Sequence, residues 1–268
     1  MPELPEVETI VRDLSKSIHC KIIVGVNVHD AFLLRQKAED FTRRLLGQTI
    51  DKIVRRGKAI IVHLSSGEFL VVQLMMTGQL VFDGIKDKHT RITIELSDGR
   101  RLLYNDQRRF GQLRVVAKLD EIKHFSILGP EPFAKEFTPS LMRAAFQKTS
   151  RPIKNLLLDH TFVAGIGNIY ACEILFRSQI SPKRRAQRLS LVETNTIHRY
   201  ILEVLLEAIK HRGSSLRNYR DGAGKKGRFN ERLAVYARQG LPCPRCAKPV
   251  LRIIQAGRST FYCGHCQK

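Results

Sequence analysis

Four cysteines close the chain as Cys243-Pro-Arg-Cys246 and, after sixteen residues, Cys263-Gly-His-Cys266. Each C-x-x-C turn offers two thiolates to one ion. The intervening stretch has the length of a hairpin that brings the pairs together, which is the spacing of a tetrahedral zinc site. With all four positions filled by sulfur, one structural Zn2+ has no open position for substrate; the metal builds a small module, and the chemistry lies elsewhere. Two disulfides would satisfy the same pattern in an oxidising environment. Against that, Cys20 and Cys172 stand alone, and the acidic start MPELPEVETI does not read as a secretory signal.

The opposite end carries the other candidate for chemistry. Met1 precedes Pro2, a residue small enough for an aminopeptidase to remove the methionine and free a secondary amine. An α-amino group titrates near ~8 and a lysine near ~10.4, so at neutral pH the terminal amine is the uncharged nucleophile about a hundredfold more often. Proline's greater basicity takes back part of that. A secondary amine attacking a sugar C1′ forms an iminium directly, and Glu3 beside it could shuttle protons. By spacing alone the plainer reading, that Pro2 and Glu3 merely begin a helix, prevails.

These groups need elements to position them. Val7, Ile10, Val11 and Leu14 recur at helical spacing over 4–17, and Glu3, Glu6 and Glu8 favour the positive end of that helix. From about 22 to 117 short β-branched runs alternate with turns. Ile60–Leu64, Ser65-Ser66-Gly67 and Phe69–Leu74 read as one hairpin. Ile92, Ile94 and Leu96 with the turn Ser97-Asp98-Gly99-Arg100 and the return Leu102–Tyr104 read as another. Residues 37–46 fit a helix among them. The stretch 125–137, with Gly129, Pro130 and Pro132, reads as a linker; beyond it the chain turns helical. Thr138-Pro139 is an N-cap with proline at the first helical position, and Ser150-Arg151-Pro152 repeats the idea. Ser190 with Glu193 forms a capping box before the stripe Ile197, Ile201, Val204, Leu205, Ile209. Residues 212–230, glycine-rich and basic, read as a mobile loop. The fold class is therefore α+β multidomain: an N-terminal antiparallel β-sandwich with flanking helices (1–124), a linker (125–137), a helical domain (138–233) and a zinc hairpin (234–268).

Composition names the class of partner. Lys and Arg number 46 against 25 Asp and Glu, a formal charge of +21 in 268 residues, of which 43% are hydrophobic. Such a surplus repels itself unless a polyanion relieves it, and nucleic acid is the usual one. No apolar run reaches the length of a membrane span.

Six stretches in one order sharpen this. MPELPEVETIVRDL, Arg55-Arg-Gly-Lys58, Gln73-Leu-Met-Met-Thr-Gly78, Asp106-Gln-Arg-Arg-Phe-Gly111, Gly165-Ile-Gly-Asn-Ile-Tyr-Ala171 and Gly257-Arg-Ser-Thr-Phe-Tyr-Cys263 span the chain. With the zinc cysteines they closely resemble the formamidopyrimidine-DNA glycosylase family of bacterial base-excision repair enzymes. The resemblance implies that Pro2 displaces the damaged base and holds the sugar as a Schiff base. It implies that Glu3 is the general acid/base, that Lys58 assists and touches phosphate, and that successive β- and δ-elimination cuts the strand. Met76, Arg108 and Phe110 would fill the space left by the extruded base, as an apolar wedge and a guanidinium can; as isolated residues they read as a core methionine and phenylalanine with a surface arginine. The same resemblance places His89 and Arg91 among the DNA contacts. It puts Lys154 and Asn168 on phosphates through a helix–two-turn–helix motif, where Gly165-Ile-Gly-Asn168 opens a helix to about Arg177 and aims free N–H groups at an anion. Arg258 on the zinc hairpin would grip phosphate near the lesion, and Arg217 would lie in the loop that caps the extruded base. Lys183-Arg184-Arg185 reads as a solvated face.

Departures from the family pattern are Gln73 for histidine, Gln107 for proline and His160 for glutamine; none removes a nucleophile, proton donor or metal ligand. The expected function is a bifunctional glycosylase/AP lyase for oxidised purines in duplex DNA, acting as a monomer in the bacterial cytoplasm. An endonuclease VIII-like enzyme for oxidised pyrimidines and a non-catalytic zinc protein that binds damaged DNA stand as the alternatives.

Overall fold

The computed structural model describes residues 1–216 and 218–268. They form two compact units, one of Met1–Ser126 with Ile209–Asn230 and one of Ile127–Ala208 with Glu231–Lys268. This division departs from the one expected of the sequence. The stretch 209–230, placed with the helical domain, belongs to the N-terminal unit, and most of the expected linker belongs to the second.

The first unit opens with α1 (Leu4–Ser17), whose face of Val7, Ile10 and Leu14 is fully buried; each such side chain contributes roughly 1.5–3 kcal/mol relative to exposure. Cys20, in the left-handed region at φ 60°, turns the chain away after the helix. Then follow β1 (Ile23–Val28), α2 (Ala38–Leu45), β2 (Ile50–Arg56), β3 (Ala59–Leu64), β4 (Phe69–Gln73), β5 (Gly78–Phe82), β6 (Thr90–Leu96), β7 (Arg101–Asp106), β8 (Gln112–Val116) and the short α3 (Lys123–Ser126). They make two four-stranded antiparallel sheets, ordered β1-β6-β7-β5 and β2-β3-β4-β8. Both expected hairpins form: Ile60 pairs with Val72 across β3 and β4, and Ile94 with Leu102 across β6 and β7.

The sheets share one core. Ile60, Val62 and Leu64 of one sheet meet the same apolar cluster as Ile92, Ile94 and Leu102 of the other, closed by α1 and α2. The alternating Ala59 and Ile61 point the other way and are covered by Ile122 and Phe125, which is why β3 is apolar on both faces from Ala59 to Val62. The segment Ile209–Asn230 returns to this unit. Arg212 donates to Asp221 Oδ2 at 2.7 Å and to Asp13 Oδ2 of α1, and Gly222 N–H also donates to Asp13, at 3.1 Å. A stretch read as a free loop is thus anchored at its base on the helix that begins at Leu4.

The second unit contains α4 (Pro139–Gln147), α5 (Ile153–Leu157), α6 (Asn168–Arg177), most of α7 (Leu191–Lys210), and the hairpin β9 (Leu251–Gln255) and β10 (Arg258–Tyr262). Thr138 caps α4 by accepting from Leu141 N–H at 3.2 Å, and Ser190 and Glu193 exchange side chain-to-backbone bonds at the head of α7. Ser150 is not a cap: α5 starts after Pro152, which has no side-chain acceptor to offer. The expected linker is held rather than loose, with Gly129 N–H on His160 O at 2.8 Å and Ala164 N–H on Pro130 O at 2.9 Å. Among the described residues no helix is long and apolar enough to cross a membrane.

Candidate active site and nucleic-acid interface

Pro2 and Glu3 are both buried and lead straight into α1. Glu3 occupies the N-cap, and its backbone N–H donates to Glu6 Oε2 at 2.8 Å. The other oxygen of Glu6 accepts from Ser214 N–H at 2.7 Å, and Tyr219 Oη donates to Glu6 O at 3.3 Å. Glu6 is only 1% exposed, so one buried carboxylate ties the head of α1 to the returning segment. The approach is close enough that a Cβ on Gly213 would lie 2.7 Å from Glu6 Oε1, and the φ of Gly213 is +75°. Any larger residue there would be strained in its backbone and would push against the Glu6 carboxylate. Sequence reasoning missed this role; the only signal was a carboxylate at the third helical position, which reads as ordinary capping.

Lys58 lies in the tight turn between β2 and β3, after Gly57 with φ 57°. Arg55 braces that turn by donating to Gly57 O at 3.0 Å and reaches α1 through Glu8 Oε2 at 3.1 Å. The guanidinium therefore sets the lysine turn against the helix that the candidate nucleophile and acid precede.

Met76 and the pair Arg108 and Phe110 come from two turns of the same unit. Met76 is 39% and Phe110 47% exposed, which disposes of the reading of either as a core residue. Arg108 is sandwiched, with its Nη1 3.3 Å from Met76 Sδ and its guanidinium carbon 4.7 Å from the Phe110 ring centre. The three expected side chains are brought together. Met75 and Arg109, neither a glycine, have φ of 51° and 60°, a left-handed backbone that costs about 1–3 kcal/mol and persists only where surroundings impose it.

Asp106, at the end of β7, is fully buried. Its Oδ1 accepts from Thr77 Oγ1 and, at 3.2 Å, from Arg108 N–H; its Oδ2 accepts from Gly111 N–H at 2.8 Å. Its own N–H donates to His89 O at 2.9 Å, and its carbonyl accepts from Arg91 Nε at 3.0 Å. A Cβ on Gly111 would lie 1.6 Å from Tyr104 Oη, so the close return of this loop admits only glycine. Burial and then the adjacent Asp106 carboxylate push the Tyr104 phenol far above its ordinary pKa. Nearby, burial raises the pKa of Asp30, but the hydrogen bonds from Arg109 and Phe32 N–H and the charges of Arg109 and Arg91 outweigh it and hold the carboxyl below its usual range.

In the second unit, α6 begins at Asn168 behind Gly167 and ends at Arg177, the bounds expected of the sequence. Asn168 Nδ2 donates to Ser259 O at 2.8 Å. Lys154 lies deeper than an exposed phosphate contact would. Its side chain is fully buried, and its ammonium donates to Thr260 Oγ1 at 2.7 Å and Ser259 O at 3.4 Å. These bonds tie α5 to β10. The β9–β10 turn has positive φ at both central residues, Ala256 (45°) and Gly257 (70°), a two-residue geometry that suits twisted strands. Arg258 follows at once and is exposed. Arg217 lies outside the described residues.

The four cysteine sulfurs lie within 4.8 Å of one another, with Cys243 to Cys266 at 3.9 Å and Cys246 to Cys263 at 3.5 Å. Zinc–sulfur bonds of about 2.3 Å in a tetrahedron require sulfurs about 3.8 Å apart. The donor set therefore fits one zinc, and none of the four is in a disulfide. Backbone N–H groups of Arg245 and Cys266 point at Cys243 and Cys263 Sγ, both at 3.5 Å, as suits thiolates. Glu173, fully buried in α6, accepts from the N–H groups of Ala234, Val235 and Tyr236 at 2.9, 3.0 and 2.9 Å, fixing the chain that enters the module.

Residues 1–113 match the formamidopyrimidine-DNA glycosylase N-terminal domain, 128–220 the H2TH domain of the same enzymes, and 240–268 the zinc finger found in FPG and IleRS. The formamidopyrimidine-DNA glycosylase of Desulforamulus reducens is 42% identical over 275 residues, covering 100% of this chain and 99% of the relative. This chain belongs to the formamidopyrimidine-DNA glycosylase family. The Chloroflexus aurantiacus enzyme of that name is 41% identical over 100% of this chain and 98% of its own. Among solved structures, MutM (Fpg) of Thermus thermophilus superposes with a TM-score of 0.90 at 41% identity, covering 99% and 98% of the two chains. Lactococcus lactis Fpg in complex with abasic-site DNA gives 0.92 at 34% identity, covering 99% of each. The β-sandwich, the H2TH region and the cysteine hairpin of this chain thus follow the family architecture.

Proposed function

We propose that this protein is a bifunctional DNA glycosylase/AP lyase that excises oxidised purines, 8-oxoguanine and formamidopyrimidines, from duplex DNA. The observation that carries the reading is Pro2-Glu3 at the head of α1, held by Glu6, in a chain of this family. Relatives solved with Fapy-dG DNA, carbocyclic 8-oxo-G DNA and abasic-site DNA support the substrate class.

With Met1 removed, the Pro2 nitrogen attacks C1′ of the lesion nucleotide. The glycosidic bond breaks, and the base leaves with a proton for which Glu3 is the donor. The C1′–O4′ bond then opens, O4′ leaving as a hydroxyl with a proton, and the iminium so formed at C1′ acidifies the C2′ proton. Its removal expels the 3′ phosphate, and a second elimination expels the 5′ phosphate; hydrolysis then frees the amine. Lys58 supports the phosphate beside the reacting sugar. Met76, Arg108 and Phe110 occupy the space the base vacates, while Asn168 and Arg258 hold phosphates. The zinc holds the hairpin and takes no part in any step. The enzyme works as a monomer, in the cytoplasm, on nucleoid DNA.

Borohydride trapping on a duplex with 8-oxoguanine opposite cytosine tests this, with Pro2→Gly and Glu3→Gln alongside. A covalent complex that Pro2→Gly loses supports the amine as nucleophile. Tight binding without trapping or cleavage would leave a DNA-binding protein, and trapping only on oxidised pyrimidines would move the chain to the endonuclease VIII-like branch.

A further inference from the structure

Five of the side chains read as DNA contacts in the N-terminal unit sit on three separate stretches of chain, around 76, around 89–91 and around 108–110. Packing alone does not register exposed turns with one another, because each carries its functional residues outward and away from the core. A single buried residue does so here. Asp106 binds the first stretch through the Thr77 hydroxyl, the second through its own backbone to His89 O and Arg91 Nε, and the third through the N–H groups of Arg108 and Gly111 on either side of the Arg108–Phe110 tip. Arg108 N–H is shared, lying also 3.1 Å from Thr77 Oγ1, so the first and third stretches are joined directly as well.

We propose that Asp106 is the positioning residue of the base-displacing set: its carboxylate locks the Met76 turn and the Arg108–Phe110 loop into one preassembled wedge, and so sets the rate at which a lesion is exposed to Pro2. This rests on the reading of Met76, Arg108 and Phe110 as that set. Three features follow from one function. The carboxylate takes one hydroxyl donor and two backbone donors, so neither turn can shift without leaving a buried charge underbonded. The left-handed backbone at Met75 and Arg109 needs an external restraint, and both residues directly adjoin stretches bound to Asp106. The stack of Met76 sulfur, Arg108 guanidinium and Phe110 ring joins the two turns that the carboxylate binds, as one wedge requires. Asp106 itself touches no reacting atom, and its effect is confined to a step that precedes the chemistry.

That confinement supplies the test. A lesion base must be unstacked before excision, whereas an abasic sugar has no base to unstack. In single-turnover assays Asp106→Asn should slow 8-oxoguanine excision about tenfold or more while cleaving a preformed abasic site within about threefold of wild type, since a misplaced positioning group costs rate only in the step it serves. A 2-aminopurine beside the lesion should show a slower fluorescence rise by the same factor. Thr77→Val, which keeps the carboxylate, should give a smaller loss of the same selectivity, and Thr77→Ser should restore the rate; this pair carries the test if Asp106→Asn fails to fold. Equal slowing on both substrates, or unchanged excision in Asp106→Asn or Thr77→Val, would overturn the inference. Met76→Ala and Phe110→Ala run alongside keep the two readings apart. Should these excise at the wild-type rate, the wedge itself is misassigned and the positioning role falls with it. Slowing by these two but not by the Asp106 and Thr77 variants would leave the wedge standing and remove Asp106 from it.

Discussion

In the N-terminal unit the functional turns converge on buried carboxylates, Glu6 for the head of α1 and Asp106 for the exposed trio, whereas the C-terminal hairpin presents Arg258 at its turn and leads at the far end of its strands into four sulfurs. The contrast follows from the size of the core available. The sandwich buries two sheets and two helices against one another, so it can keep a charged group dry and satisfied by backbone donors. The hairpin has only five-residue strands, and its own core is little more than Val235 and Val250 with the cysteines, Cys172 and Phe176. A module that small gains its rigidity from metal–ligand bonds.

The comparison is broken most severely by removing the metal. Chelation, or Cys263→Ser, should abolish the hairpin, because binding energy at structural zinc sites of about 10 kcal/mol or more is folding energy. DNA affinity should fall by orders of magnitude in a filter-binding or anisotropy assay, while the circular dichroism of the sandwich persists. Loss of both together would mean that the two units do not depend on separate means of support. Next in size is Glu173→Ala, which strands three backbone N–H groups at about 1–3 kcal/mol for each unmet donor. Denaturant unfolding should show an early loss of the second unit, and zinc should leave faster to a colorimetric chelator.

A finer distinction separates Arg258 from Lys154, which the family resemblance grouped as phosphate contacts. Arg258→Ala should reduce the slope of log affinity against log salt by about 0.9, the loss of one phosphate contact, with base preference unchanged. Lys154→Met should leave that slope intact, since its ammonium is engaged by Thr260 and Ser259. A reduced slope for Lys154→Met would return it to the phosphates. The smallest effect concerns Asp30 beside Arg109. A carboxyl held below its usual range stabilises fully above that range and loses the contribution as pH falls through its lowered value. Asp30→Asn should therefore flatten the decline of stability below about pH 4 and leave neutral behaviour nearly unchanged.

Local spacing made much of the molecule legible. The face of α1, both hairpins, the Ser190–Glu193 box and the cysteine pairs are all short-range patterns, and each forms as read. What stayed hidden depends on partners far along the chain. Glu6 meets Ser214 and Lys154 meets Thr260 across separations of 208 and 106 residues; no spacing rule reports either. Asp106 opens the stretch that identified Arg108 and Phe110, yet it reads as the polar end of a strand because its work is done through backbone groups of other segments. The glycine-rich 212–230 stretch was legible as non-regular chain but not as anchored chain. Its glycines mark close approach to Glu6 and Asp13 as much as freedom.

Met75 and Arg109 also bear on how this protein can change over generations. A glycine at either place would relieve the left-handed backbone and raise thermal tolerance, so drift or a stability screen would be drawn to these codons early. The same exchange would slacken the tips that must hold still against a stacked base. Lineages selected for heat and lineages selected for speed of repair would then part company at these two positions, with the rest of the sandwich free to follow either.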